Sequence, residues 1–265
     1  MTKIFDGKAA IITGSGHGIG KAIAEAYSSF GASIVLNARN KREIDTLADA
    51  INKAGGRAVA VAGDIGDAAT APRLMSACMD AFGACDILVN NAAINGQTDN
   101  VEDLDLAAWD EVFRINMTGT MLTCRAAIPQ MKKQRSGTII NVSSALAWRV
   151  QRGRSPYSAT KAAVIQFTKI LAAEVEPHGI IANAVRPGLV DTPMANELVY
   201  MTGSAAREET ARRIAEQKKA GGLITPEQSA RFFVWLAGGT GRTGEFIQIE
   251  EVSADIEAFY KRIEG

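Results

Sequence analysis

Two short stretches hold residue types and spacings that can do chemistry. In SPYSATKAAVIQFTKILAAE, Tyr157 precedes Lys161 by four positions, so on a helix they share one face. An isolated phenol ionises near ~10, too high for easy proton exchange at neutral pH. An ammonium one turn away favours the phenolate and is expected to lower that value. Tyr157 could then give a proton to a carbonyl oxygen or take one from an alcohol. Taken alone, the pair also reads as an amphipathic surface contact. The second stretch, TGSGHGIGKA, crowds Gly14, Gly16, Gly18 and Gly20 into one turn. Glycines permit positive φ and close backbone approach, and a helix opening there offers unpaired N–H groups to a phosphate. A strict G-x-G-x-x-G fails, because counting from Gly14 puts Ile19 at its last position. T-G-x-x-x-G-x-G fits through Thr13, Gly14, Gly18 and Gly20. Ser15 and His17 complete the turn, His17 as a loop residue rather than a catalyst.

The next apolar run, SIVLNA, bears on which dinucleotide such a turn would hold. An NAD site usually carries an acidic residue at this strand's end for the ribose hydroxyls. Ala38 stands there instead, followed by Arg39. A guanidinium suits a 2′-phosphate, with no carboxylate expected beside it to repel one. NADP is therefore the expected cofactor; the competing reading makes Arg39 a solvated loop arginine.

These residues need a scaffold, and the chain's rhythm supplies one. KAAIITG, SIVLNA, RAVAVAGD, DILVNNAA, GTIINVSS, GIIANAVRPG and GEFIQIE read as seven nearly continuous apolar strands. Helical patterns at 19–30, 41–54, about 67–82 and about 106–133, the tyrosine helix, and a helix after Pro226 separate them. Such alternation implies a parallel sheet covered by helices on both faces, hence one doubly wound α/β domain over 1–265. Residues 193–224 break the rhythm as a charged helical insertion without a strand, either a solvated helix or a lid over the ligand crevice.

The 265 residues are 47% hydrophobic and 22% charged, with 29 basic and 29 acidic side chains. That balance gives no general pull toward nucleic acid or acidic lipid. Three cysteines without a C-x-x-C fit a reduced setting. With only two histidines and no acidic–histidine cluster, no metal site is expected. No apolar run suits a secretory leader or a membrane span, so a cytoplasmic location is expected.

In this order the motifs resemble the short-chain dehydrogenase/reductase (SDR) family, over roughly residues 8–249. Thr13-Gly14-x-x-x-Gly18-x-Gly20 resembles its cofactor motif, and Asp64-Ile65 its acidic pair beside the adenine. Asn90-Asn91-Ala92-Ala93 resembles its N-N-A-G, with Ala93 for the usual glycine. Asn116 in RINMTG matches the family's helix asparagine, Ser144 its serine thirteen residues before the tyrosine, and Tyr157-x-x-x-Lys161 its Y-x-x-x-K. Pro187-Gly188 and Thr192 resemble the stretch bordering the nicotinamide. The resemblance implies a Rossmann-type fold and an oxidoreductase acting on CH–OH or C=O groups. It implies that Lys161 binds the nicotinamide ribose, Ser144 holds the substrate oxygen, and Asn116 ties Lys161 to a proton-relaying water.

The family's usual D-G-G after the last strand is missing from IQIEEVSADIEAFYKRIEG, and a short helix over 253–265 is expected instead. That puts the usual C-terminal packing and subunit contacts in doubt. The tyrosine helix carries one stripe of Val164, Thr168, Leu171 and Val175 and another of Ala159, Ala162, Ala163, Phe167 and Ile170. A helix apolar on two sides is buried on both, so a homo-oligomer is expected, a tetramer by resemblance or a dimer. The leading function is NADP(H)-dependent interconversion of a ketone and a secondary alcohol. The alternatives are a 3-oxoacyl thioester reductase, for which Arg135 is present but His178 replaces the second arginine, and a silent NADP sensor. Arg149, Arg152 and Arg154 crowd the loop before Tyr157. Either they face solvent or a subunit, or at least one clamps an anionic substrate group.

Overall fold

The computed structural model describes residues 2–264. β-Branched and aliphatic runs form seven parallel strands: β1 (Ala9–Thr13), β2 (Ser33–Ala38), β3 (Arg57–Ala62), β4 (Ile87–Asn90), β5 (Gly137–Val142), β6 (Ile180–Arg186) and β7 (Phe246–Gln248). Their order is β3-β2-β1-β4-β5-β6-β7. β1 thus pairs with β2 on one side (Ile11 opposite Val35) and β4 on the other (Ile11 opposite Leu88). The winding reverses between β1 and β4, and a crevice opens beyond the C-terminal ends of strands at such a reversal.

The strands are buried on both faces, as their continuous apolar patterns require. On one face lie α1 (Gly18–Ser29), α2 (Lys41–Lys53), α9 (Pro226–Ala237) and α10 (Ser253–Glu264), with Ile23, Tyr27, Leu47 and Phe232 in the core. On the other lie α3 (Thr70–Phe82), α5 (Gly119–Gln134) and α6 (Ser155–Val175), with Leu74, Cys124, Met131 and Leu171. All three cysteines are buried thiols. α4 (Leu106–Phe113), α7 (Pro193–Val199) and α8 (Ala205–Lys219) stand at the crevice end. Among the described residues no helix is long and apolar enough to cross a membrane.

Two local departures from the sequence reading have physical causes. Residues 67–69 form a turn, because Asp67 accepts a hydrogen bond from the Ala69 amide, so α3 starts at Thr70. The helical stretch at 106–133 is interrupted by one wide π-turn at Arg114–Thr118. The Thr120 hydroxyl donates to the carbonyl of Asn116 in that turn at 2.9 Å. The unusual C-terminus does not leave the core open. α10 turns Ile256, Phe259, Tyr260 and Ile263 inward, and Tyr260 meets Phe30 edge to face at 6.1 Å. Residues 193–224 are helical as expected, and a parallel bridge between Val190 and Ile224 pins their base.

Candidate active site

The glycine turn is built by its neighbours. The Thr13 hydroxyl accepts hydrogen bonds from the Asn91 and Ala92 amides at 3.0 and 3.1 Å, and the Asn91 side chain donates to the carbonyls of Thr13 and Gly14. These bonds tie the end of β1 to the end of β4. Gly14 has φ +64°, and a Cβ there would lie 2.8 Å from the Ala92 Cα. Gly18, also at positive φ, packs against Thr192, whose hydroxyl caps α7 by accepting from the Ala195 amide at 3.2 Å. The turn and the base of the charged insertion therefore meet directly.

A cavity of about 380 Å³ runs along the strands' C-terminal ends. Gly14, Gly16, His17, Gly18, Ile19 and Arg39 line it, together with Asp64, Ile65, Asn91, Ala92, Pro187, Gly188 and Thr192, and with Ser144, Tyr157 and Lys161. Three expected residues stand back from it. Ser15 is fully buried, its hydroxyl accepting from the Asn37 amide at 2.9 Å, so it locks the turn to β2. Gly20 lies in the first turn of α1, so close to the Gly14 carbonyl that a Cβ would clash. Asn116 is buried in the π-turn. Its carboxamide accepts from the Ile94 amide at 2.8 Å and donates to the Ile94 carbonyl and the Thr160 hydroxyl. It holds the loop after β4 and makes no direct bond to Lys161.

Ser144 and Tyr157 are neighbours, delivered by the end of β5 and the first turn of α6. Lys161 is 2% exposed. Its ammonium donates to the Val142 carbonyl at 2.8 Å, and burial pushes its pKa down to about 8. This corrects the expected electrostatics of the pair. Burial raises the Tyr157 pKa above the ordinary phenol value, offset in part by the positive charge of Arg154 and a hydrogen bond with Ser144. The Lys161 ammonium, bound to the Val142 carbonyl, lies 5.6 Å from the Tyr157 ring centroid, and the Arg154 guanidinium lies over the ring at 4.8 Å. Both cations face the ring; Arg154 is the nearer, and its charge lowers the phenol's pKa.

Elsewhere in the lining, Asp64 accepts from Arg114 at 2.6 Å and from the Gly66 amide at 2.8 Å. Burial alone would raise its pKa, and these bonds together with nearby arginines hold it below the usual carboxylate range. The expectation that no carboxylate lies near Arg39 fails: Asp64 and Glu111 both feel its charge. Glu43, in the first turn of α2, lines the cavity and lies so close over Gly16 that a Cβ there would strike it. Asn40 caps α2 and donates to Glu43 at 2.8 Å. In sequence Glu43 reads as an ordinary acidic residue of a helix start; only the fold of the turn brings it to the crevice.

Of the three loop arginines, Arg154 is buried against the cavity, Arg149 is exposed at its rim, and Arg152 is exposed and donates to Asn100 at 2.9 Å. Among the described residues no group of three or more His, Cys, Asp or Glu could hold a metal ion.

A doubly wound sheet with this crevice is the architecture of nucleotide-dependent α/β proteins. The chain belongs to the short chain dehydrogenases, whose family model matches residues 8–202. It is 35% identical to a short-chain reductase of Streptomyces niveus over 91% of this chain and 92% of that protein. It is 33% identical to a 3-oxoacyl-[acyl-carrier-protein] reductase of Aquifex aeolicus over 92% and 96%. The fold is similar to a short-chain type dehydrogenase/reductase from Mycobacterium marinum, with TM-score 0.81, 30% identity and 92% and 94% coverage. It is thus an oxidoreductase of a family that uses a nicotinamide cofactor, NAD or NADP. The positive-φ turn, the close backbone approach at Gly14 and the open N-terminus of α1 fit such a cofactor.

Proposed function

We propose that the protein interconverts a ketone and a secondary alcohol with NADP(H), Tyr157 serving as general acid and base. The observation that carries this reading is that Ser144, Tyr157 and Lys161 line the same cavity as the glycine turn, with Ser144 hydrogen-bonded to Tyr157. The cofactor, when bound, supplies or accepts the hydride. In reduction, Ser144 and Tyr157 hold the carbonyl oxygen while the carbonyl carbon gains the hydride, and the phenolic proton passes to that oxygen. The raised phenol pKa keeps the proton on Tyr157 until then. Lys161 places its charge beneath the site, and Asn116 acts as a positioning residue through the loop after β4. Gly14, Gly16, His17, Gly18 and Ile19 would cradle the phosphates, Asp64, Ile65, Asn91 and Ala92 the adenosine side, and Pro187, Gly188 and Thr192 the nicotinamide side.

Arg39 is assigned to the 2′-phosphate. Met194, Leu198 and Ile214, from the helices of 193–224, wall the cavity, which supports a lid reading of that segment. Oxidation of NADPH that requires a ketone, measured across a ketone panel, tests the function; a sensor would bind NADPH and turn over nothing. The acyl-carrier reading has less support. Arg135 and His178 precede β5 and β6 and so lie at the strand ends opposite the crevice of the same chain.

Assembly is proposed through α6. Its Val164 stripe covers the sheet, while Ala162 and Ile170 on the outer stripe are exposed in the single chain. Light scattering should show at least a dimer at micromolar concentration.

A further inference from the structure

Arg154 is 2% exposed and is the largest fully buried side chain of the described residues. Its Nη1 donates to the Thr98 hydroxyl at 3.0 Å and its Nη2 to the Asn95 side-chain oxygen at 2.8 Å. Both acceptors are neutral, and its Nε is buried without a partner. Among the described residues no carboxylate forms an ion pair with it. Asp99, two residues along from Gln97 on the neighbouring loop, is bound by Arg207 at 2.5 Å instead. Arginine keeps its charge at any accessible pH, and a buried charge is costly unless an opposite charge compensates it.

The surroundings point to where that charge comes from. The acidic residues lining the cavity are Glu43 and Asp64. The rest of the lining holds Arg149, Arg154, Lys161, Arg186 and Arg213 and no further carboxylate. Arg154 lines the cavity beside Tyr157, its guanidinium 4.8 Å from the ring centroid.

We infer that the substrate is a small ketone bearing a carboxylate a few bonds from its carbonyl, and that the Arg154 guanidinium binds this carboxylate while Tyr157 and Ser144 hold the carbonyl oxygen. Arg149 and Arg213 at the rim draw the anion in, and Arg154 fixes its orientation. The inference rests on the proposed ketone reduction and adds the substrate's charge to it.

Straight-chain 2-, 3- and 4-oxocarboxylates and their methyl esters, each with NADPH, provide the test. At least one acid should be reduced about tenfold or more faster in kcat/KM than its ester, the scale of a lost charge-assisted hydrogen bond. Arg154→Gln should slow the acid at least about tenfold more than the ester and so erase the difference; a role confined to Tyr157 or to structure would slow both alike and keep the difference. The preference should persist in part in high salt, because a buried pair is screened less than a surface one. Acids and esters reduced alike by the wild type would overturn the inference while leaving the ketone reductase standing. That comparison needs no variant, so it decides the matter even if Arg154→Gln fails to fold. If no ketone turns over, titration calorimetry of butyrate against butyramide on the NADP-loaded protein decides separately: preferential butyrate binding, lost in Arg154→Gln, supports the anion site, and equal binding refutes it.

Discussion

On the proposed NADP(H) reading, cofactor choice turns on two opposed charges four residues apart in sequence that both line the cavity, Arg39 and Glu43. Replacing each separately shows which dominates. Arg39 is exposed at the end of β2, so its pairing with a 2′-phosphate is partly screened. A charge-assisted hydrogen bond is worth about 1.5–3 kcal/mol, whereas an exposed ion pair contributes only about 0.2–1 kcal/mol. A doubly charged phosphate held at the rim belongs near 2 kcal/mol, roughly thirtyfold. Glu43 repels the same phosphate. Two unit charges about 4 Å apart in a water-like medium interact by about 1 kcal/mol, roughly fivefold. The attraction exceeds the repulsion by about 1 kcal/mol, and NADH forgoes both, so the wild type should favour NADPH by roughly fivefold in kcat/KM. Arg39→Ala should cost NADPH roughly thirtyfold and leave NADH within about twofold, reversing the preference. Glu43→Gln keeps an oxygen for Asn40 to bond and should improve NADPH about fivefold. Initial rates at saturating ketone and about 0.15 M salt give the ratios, and fluorescence titration of each reduced cofactor gives the same answer without turnover. Equal use of both cofactors by the wild type, or an Arg39→Ala variant that weakens both alike, would refute the reasoning.

Tyr157→Phe keeps the ring under Arg154 and removes only the proton donor; kcat should fall by roughly 10²–10⁴ with NADPH binding retained, and near-normal turnover would remove Tyr157 from the mechanism. The pH profile follows from the buried lysine. Its folded pKa of about 8 lies below the ordinary lysine value, so Lys161 is charged at neutral pH and loses that charge as pH rises through about 8. The phenol, its pKa raised by burial, stays protonated over the same interval. Reductive kcat/KM should therefore decline above about pH 8 through Lys161, and a profile level to pH 10 would contradict the placement of its ammonium. Phe259→Ala, which empties an α10 position packed on the core, should cost about 3 kcal/mol of stability in chemical denaturation while leaving kcat/KM unchanged; an unaltered midpoint would show that α10 is dispensable.

Much of the architecture was legible because its signals are local. Apolar β-branched runs separated by helical periodicity require a parallel, two-faced sheet, and the glycines of 14–20 mark a turn that only small residues can make. The spacings of Asn116, Ser144, Tyr157 and Lys161 were readable by resemblance, as was the membership now supported by the match over residues 8–202. The same signals could not tell a residue that lines the crevice from one that braces it. Ser15 and Gly20 share the motif with Gly14 and Gly18, yet the turn's backbone path buries Ser15 under β2 and presses Gly20 against Gly14.

The sequence by itself determined the element order, the glycine turn and the spacing of the proposed proton-transfer residues, because each depends on neighbours within a few positions along the chain. Only the tertiary structure decided the electrostatics. Whether a side chain's charge is felt depends on burial and on partners distant in sequence. Lys161 is turned to Val142 and desolvated, Glu43 is swung over Gly16 by the start of α2, and Arg154, one of three similar loop arginines, is enclosed by Asn95, Thr98 and the Tyr157 ring. Proton affinity and charge selectivity in this crevice follow from that enclosure, which no spacing along the chain encodes.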